Sequence, residues 1–179
     1  LSIEIAFGPY DHDTDHPWHL AERGQLSFAE AREAVMELAR ARGMELDLLD
    51  LAAKLGGGAV HEAMVDSVRR VRAAGVATAI VTNNIAEARD FWRPLLPLDE
   101  LFDVVIDSCE VGVRKPDPRI FELALEALGS IDPARAVFLD DYPGNVAAAE
   151  RVGMLAVLVE ADRGPAIDAV DRLTGASPR

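Results

Sequence analysis

The sequence is short of three things: cysteine, net positive charge and long apolar runs. One cysteine, Cys109, permits neither an internal disulfide nor a zinc site made of cysteines, and it fits the reducing cytoplasm, where we expect the protein to work. The 31 Asp and Glu residues outnumber the 18 Lys and Arg residues, and the net charge of −13 argues against nucleic acid or an anionic membrane surface as the main partner. No apolar run approaches the length of a membrane span.

What is present is enough apolar sequence for one sizeable core, since half of the 179 residues are hydrophobic. From residue 60 onward, helical and strand patterns alternate along the chain. The short apolar runs VATAIV, VVID, AVFLD and LAVLV are typical of buried strands, and amphipathic helices lie between them. Continuous apolar strands separated by helices predict an α/β unit over residues 60–179, with a parallel sheet covered by helices on both faces.

Residues 1–59 have a different pattern, which predicts a small helical subdomain ahead of the sheet. The run SFAEAREAVMELARARG is a strongly amphipathic helix, with Ser27 as its N-cap and Glu30 completing a capping box. The run LDLLDLAAKLGGG predicts a second helix, and no strand separates the two. The glycines at 56–58 are the expected hinge between this subdomain and the sheet.

Polar residues follow the first predicted strand, where ligands bind in open parallel sheets. Thr82, Asn83 and Asn84 offer a hydroxyl, two amides and the main-chain N–H groups of a helix start. Such groups suit an anion. Thr82 and Asn84 fit an ordinary helix cap equally well, so two interpretations stay open here.

A lysine is predicted to lie near the same edge of the sheet. Asp117 is a good N-cap and Pro118 a good first helical residue, so the loop that carries Lys115 is fixed where the next helix begins. A lysine in that place can neutralise a phosphoryl group or a carboxylate nucleophile. A single loop lysine is also typical of a solvated surface.

Two adjacent carboxylates, Asp140 and Asp141, end the third predicted strand. Like charges in this position resist burial unless a metal ion, a lysine or water lies between them. Hard oxygen ligands with room for water suit Mg²⁺. A helix cap would explain one of the two aspartates and leave the other unexplained.

Three stretches, IVTNN, GVRKPDPRIFELAL and VFLDDYPGNVAAAERVGM, resemble in order and spacing motifs two, three and four of the haloacid dehalogenase (HAD) superfamily. The similarity spans about residues 60–160 and is greatest to phosphatase-like members, including the N-terminal phosphatase domain of soluble epoxide hydrolases. The resemblance implies a HAD-like Rossmannoid core, and it implies that the helical residues before it are a small cap.

The resemblance also implies roles for the residues that match the motifs. Thr82 and Asn83 would hold the transferring phosphoryl group, and Lys115 would stabilise both that group and the nucleophile. Asp141 would be the direct Mg²⁺ ligand, and Asp140 would bind the ion through water or orient the lysine. The implied activity is Mg²⁺-dependent hydrolysis of small phosphorylated metabolites through an aspartyl-phosphate intermediate. The sequence specifies neither the metabolite nor the oligomeric state.

The first motif of the family, a strand ending in Asp-x-Asp-x-Thr or Asp-x-Asp-x-Val, has no match in this sequence. Asp11 and Asp13 are the nearest approach, but Thr14 comes one place too early and the preceding Gly8 and Pro9 break any strand. We therefore expect the nucleophile strand to lie upstream. We also expect the printed residues alone to be poorly stable and inactive.

The segment 11–19 also holds His12, His16 and His19, whose spacing could suit a metal on a helix. Pro17 interrupts that helix, so the sequence favours an exposed polar loop, and Trp18 is expected at the interface between cap and core.

Two other functions stay open. A haloacid-type dehalogenase uses the same nucleophile without a metal, which the acidic pair argues against. A non-catalytic, degenerate HAD-like scaffold is the second. A phospho-receiver domain is excluded, because its acidic pair follows the first strand and here the pair comes last.

Overall fold

The computed structural model describes residues 2–55 and 60–176, and its N-terminal part is helical. The third and fourth helices were predicted, and the capping box of Ser27 and Glu30 is present in both directions. The first two helices were not predicted, because six residues are too few to show a helical period. These elements are α1 (Ser2–Phe7), α2 (Pro17–Glu22), α3 (Phe28–Arg40) and α4 (Leu48–Leu55).

The rest of the described chain alternates strands and helices as predicted. Its elements are α5 (Glu62–Ala73), β1 (Ala79–Thr82), α6 (Arg89–Trp92), α7 (Leu98–Leu101), β2 (Val104–Asp107), α8 (Ser108–Val111), α9 (Pro118–Ala127), β3 (Val137–Asp140), α10 (Pro143–Val152), β4 (Leu155–Leu158) and α11 (Gly164–Thr174).

The helix predicted between the first two strands is broken into three short pieces. A 3-10 turn at Ala86–Ala88 leads into α6, and a second 3-10 turn follows at Arg93–Leu95. Pro94 lies in this last turn, where it has no N–H to donate and its ring blocks a continuing α-helix.

The strands form two parallel pairs within the described residues. β1 pairs with β2 and β3 pairs with β4, each over four residues. Helices α9 and α10 cover one face of both pairs, and α5 and α11 cover the other face of β3. Along β3, Phe138 faces the first layer, where its ring meets Phe121 at 5.0 Å, and Val137 and Leu139 face the second. The predicted α/β architecture with helices on both faces is confirmed.

The N-terminal helices pack directly against the core. The Trp18 ring contacts Phe7 edge-to-face at 5.1 Å and also borders a cluster that contains Ile85, which follows β1. The main-chain N–H of Phe28 donates to Glu87 at 2.8 Å. The glycines at 56–58 lie outside the described residues, so the hinge stays a prediction. None of the helices in the described part of the chain is long and apolar enough to cross a membrane.

Gly24, just after α2, lies very close to the main chain of Cys109 in α8. Its φ is +68°, and a Cβ there would overlap the carbonyl oxygen of Cys109. Gly43 has a similar φ of +70° and open space around it, which makes it a matched control. We expect Gly43→Ala to lower the free energy of unfolding by about 1 kcal/mol. Gly24→Ala should cost about 2 kcal/mol more because of the clash. Urea unfolding measures both, and equal losses would contradict this contact.

Candidate active site

Lys115 lies between the carboxyl ends of β1 and β3. Its ammonium donates to the carbonyl oxygen of Val81 at 2.9 Å and to Oδ2 of Asp140 at 2.8 Å. Its side chain is largely buried, with 11% exposed. One cation therefore joins two strands that do not pair with each other.

The side chain of Asn83 holds the main chain of Lys115. Its Oδ1 accepts from the Lys115 N–H at 2.8 Å, and its Nδ2 donates to the Lys115 carbonyl at 3.0 Å. The family resemblance assigns Asn83 to the phosphoryl group, and in the structure both ends of its amide are bonded to the main chain of Lys115. A phosphoryl contact from Asn83 stays a prediction. The observed role of its side chain is to fix the loop that carries Lys115.

Thr82 ends β1 with a hydroxyl that accepts from Nδ2 of Asn84 at 3.0 Å. The main-chain N–H of Asn84 donates to the buried Ser108 Oγ at 2.9 Å, and that hydroxyl donates back to the Asn84 carbonyl at 3.2 Å. Neither Thr82 nor Asn84 caps the following helical turn, whose N-cap position is taken by Ile85 without a side-chain bond. The capping interpretation of these residues is therefore wrong.

The two adjacent aspartates have different surroundings. Asp140 is buried, and besides Lys115 it accepts from the Tyr142 N–H at 2.8 Å and from Asn145 Nδ2 at 3.0 Å. Asp141 is exposed and lines an open cleft at the ends of β3 and β4. The repulsion expected from the sequence is relieved because one carboxylate pairs with a lysine and the other faces solvent.

Of the two adjacent aspartates, Asp141 is the one whose carboxylate is exposed and could bind a metal ion. This ion commonly binds through one or two carboxylates and fills its other positions with water and phosphate oxygens. The oxygens of Asp140 already accept three bonds, which suits orienting Lys115 better than binding a metal. Over the part of the chain that the structure describes, no three His, Cys, Asp or Glu side chains come together as metal ligands. The residues present supply suitable oxygen chemistry but too few ligands for a complete site.

The acidic stretch near the N-terminus does not follow a strand. The residues before it form α1, and Asp11 is exposed beside His12 at 2.7 Å. Asp13 pairs with Arg23 at 2.5 Å. These contacts are those of a structured loop. They give neither aspartate the strand-end position of a HAD nucleophile.

His19 differs from the exposed loop that the sequence favours, because its side chain is fully buried. Its Nδ1 accepts from the Thr14 N–H at 3.1 Å. Burial, reinforced by the nearby charge of Arg114, lowers the pKa of His19 from 6.5 to about 4.

This low pKa predicts a loss of stability in mild acid. The unfolded chain binds the proton near pH 6.5 and the folded chain only near pH 4, so protons favour unfolding as the pH falls through that window. At about 1.4 kcal/mol per pH unit, the His19 contribution reaches about 3 kcal/mol. Urea unfolding across this window should show a steeper loss for wild type than for His19→Gln. His12→Gln, at an exposed position, should keep the wild-type slope, and identical slopes for all three would contradict the assignment.

Two residues near Lys115 and the acidic pair could not be identified as site residues from the sequence. The ring of Tyr10 lies 5.5 Å from that of Tyr142, which directly follows the acidic pair. Glu22 binds Arg114, the neighbour of Lys115, at 2.6 Å across 92 residues of sequence. Only the folded chain brings these residues together, so no local pattern could have found them.

Known proteins match this chain over much of its length. The profile of haloacid dehalogenase-like hydrolases matches residues 6–153. Mouse acyl-CoA dehydrogenase family member 10 is 42% identical over 100 residues, which are 54% of this chain and 9% of that protein. Rat bifunctional epoxide hydrolase 2 is 33% identical over 120 residues, 65% of this chain and 21% of that protein. Phosphoserine phosphatase of Thermus thermophilus is 38% identical over 104 residues, 58% and 39% of the two chains. The chain thus spans less than half the length of each of these relatives.

Solved structures share the fold. A predicted HAD-like family hydrolase from Porphyromonas gingivalis superposes with a TM-score of 0.66 at 29% identity, covering 96% of this chain and 89% of the other. A HAD family enzyme of Bacteroides thetaiotaomicron, in complex with magnesium and inorganic phosphate, gives a TM-score of 0.63 at 22% identity, covering 83% and 76%. The second similarity shows the fold alone.

Proposed function

The chain belongs to the haloacid dehalogenase-like hydrolases, and from this membership we propose that it is part of a Mg²⁺-dependent hydrolase of small phosphorylated metabolites. The observation that carries the proposal is the position of Lys115. Its ammonium lies at the carboxyl end of β1 and pairs with the buried Asp140. The next residue along the chain, Asp141, has an exposed carboxylate. This arrangement puts one fixed cation next to one available metal ligand.

In this proposal Lys115 neutralises charge on the phosphoryl group and on the nucleophile as the transfer proceeds. Asp140 keeps the ammonium in place, and Asn83 keeps the main chain behind it in place. The Thr82 hydroxyl, at the end of β1, donates to a phosphoryl oxygen. Mg²⁺ held by Asp141 supplies further charge neutralisation when bound.

An aspartyl-phosphate intermediate needs a carboxylate that is free to attack phosphorus. Within residues 2–55 and 60–176, the only carboxylate bonded to Lys115 is that of Asp140, and its three hydrogen bonds occupy it. We therefore propose that the nucleophilic aspartate comes from a further strand, upstream of the printed residues.

The two strand pairs support this position for the nucleophile. β1 and β3 both bring their carboxyl ends to Lys115, and each pairs on one side only among the described residues. The same two helices, α9 and α10, cover both pairs. A parallel strand between them would complete one sheet and end beside the ammonium.

The dehalogenase alternative differs from this proposal in needing no metal, and the scaffold alternative differs in having no nucleophile. Carbon–halogen cleavage needs no Mg²⁺, and the exposed Asp141 beside the cleft favours the phosphatase. A scaffold would need neither a nucleophile nor a largely buried lysine paired with a carboxylate. The net charge of −13 argues against nucleic acid or a membrane surface as the partner, which leaves a small phosphorylated substrate. We also propose a cytoplasmic location, which the single cysteine fits.

The test is an assay of the protein with its native upstream segment against a panel of phosphomonoesters and 2-haloacids, in Mg²⁺ or in EDTA. Phosphate release only in Mg²⁺ supports the proposal. Halide release that persists in EDTA would identify a dehalogenase instead. A well-folded protein that releases neither product would be a scaffold.

A further inference from the structure

Arg114 contacts the N-terminal helices, although the next residue, Lys115, reaches the sheet edge. Arg114 is only 2% exposed, and its Nε donates to Oε2 of Glu22 at 2.6 Å. Glu22, the last residue of α2, is itself 8% exposed. A charge so far from water is stable only with a partner, so this ion pair fixes where Arg114 lies.

A further charged residue, Asp13, lies beside the guanidinium of Arg114 and is itself paired with Arg23. Oδ1 of Asp13 lies 3.6 Å from Nη1 of Arg114, and Oδ2 of Asp13 pairs with Arg23 at 2.5 Å. Arg23 also donates to the Thr14 carbonyl at 2.9 Å. Residues 13–23 thus form one hydrogen-bonded unit around Arg114.

That unit is firmly seated on the core. Ala21, the neighbour of Glu22, is fully buried in a cluster with Ile85, and Gly24 packs on the carbonyl of Cys109. Glu22 therefore has a fixed position relative to the end of β1. The ion pair with Glu22 therefore fixes the position of the Arg114 guanidinium as well.

Lys115 shares a peptide bond with Arg114, so the two are located together. On its other side, the Lys115 main chain is held at both its N–H and its carbonyl by Asn83. The loop is therefore clamped between α2 and the end of β1. Loss of either clamp frees the main chain from which the ammonium reaches Asp140.

We propose that Glu22 is a positioning residue, which acts through Arg114 to hold Lys115 in its working geometry. The inference rests on the proposed function for the role of Lys115, but the clamp itself is a property of the fold. It gives the N-terminal helices a part in the chemistry. Glu22 itself touches neither the substrate nor the reacting atoms.

The test compares Glu22→Gln with a matched control, Asp47→Asn, in the protein with its native upstream segment. Asp47 pairs with Arg32 in the same N-terminal region and has no contact with Lys115. Glu22→Gln should lower kcat by about tenfold or more and leave KM within about threefold, because the displaced lysine stabilises charge mainly in the transition state and the contacts of other residues with the substrate remain. Asp47→Asn should leave both constants unchanged.

Amide hydrogen exchange gives a readout that needs no activity. The Lys115 N–H bonds to Asn83, so release of the loop should make its exchange about tenfold faster in Glu22→Gln. The amides of β2 should keep their wild-type rates, which separates a local release from general destabilisation. Asp47→Asn should leave the Lys115 rate unchanged.

Wild-type kcat and wild-type exchange at Lys115 in Glu22→Gln would overturn the proposal. Faster exchange in a protein that hydrolyses no phosphomonoester, even as wild type, would uphold the clamp and reject the proposed function. If Glu22→Gln fails to fold, Arg114→Lys replaces it, since this variant keeps a charge for Glu22 and loses the guanidinium geometry. It should show the same two effects, and their absence would again overturn the proposal.

Discussion

Replacing Lys115 with methionine is expected to lower kcat for phosphate release about a thousandfold, because the reaction loses the cation that is fixed between the carboxyl ends of β1 and β3. The same change should lower the free energy of unfolding by about 3–5 kcal/mol. Asp140, whose side chain is 7% exposed, would then be a buried charge without its ion-pair partner. Steady-state kinetics and urea unfolding measure the two effects.

The sequence supplies a matched control, since its only other lysine is Lys54. Lys54 is exposed on α4, with no ion pair to another described residue. Lys54→Met should keep wild-type kcat and change the free energy of unfolding by less than about 0.5 kcal/mol. If Lys115→Met behaved like Lys54→Met in both measurements, Lys115 would be a surface residue and the proposed site would be wrong.

The second large effect concerns the strand proposed between β1 and β3. Adding the native upstream segment should raise the free energy of unfolding by about 4 kcal/mol, roughly 1 kcal/mol net for each paired residue. The gain comes from the open edges, since all four residues of β1 are only half-buried among the described residues. Phosphate release should appear with the extension and be absent from residues 1–179 alone.

An extended chain whose strand-end aspartate is replaced by asparagine separates the two effects. This control should keep the added stability and lose the activity, because pairing uses the main chain and attack uses the carboxylate. Phosphate release by residues 1–179 alone would place the nucleophile within the printed sequence. An extension that leaves the urea midpoint unchanged would show that it does not enter the sheet.

Much of the fold follows from local pattern. The four strands lie where short continuous apolar runs predict them, and the helix with the Ser27 capping box lies where the spacing of its apolar residues predicts it. The six-residue helices α1 and α2 are too short for that, and their stability comes from packing. The break at Pro94 is a proline effect that the sequence could have indicated.

The site also has residues that the sequence predicts and contacts that it does not. Lys115, Asp140 and Asp141 could be placed at one edge because the carboxyl ends of parallel strands meet there. The bonds from Asn83 to the Lys115 main chain depend on loop geometry, which side-chain patterns do not encode. The pair of Glu22 and Arg114 could not be predicted either, since charged residues 92 positions apart are expected at the surface.

The measurement that tests the central claim most directly is phosphate release by the protein with its native upstream segment as Mg²⁺ is titrated. Three proteins are compared: wild type, Asp141→Asn and Glu160→Gln, which removes a second carboxylate from the cleft that Asp141 lines. We predict a saturable Mg²⁺ requirement in wild type and Glu160→Gln, and a loss of at least about a hundredfold in Asp141→Asn. Release that continues in EDTA, or that Asp141→Asn leaves unchanged, would contradict the account.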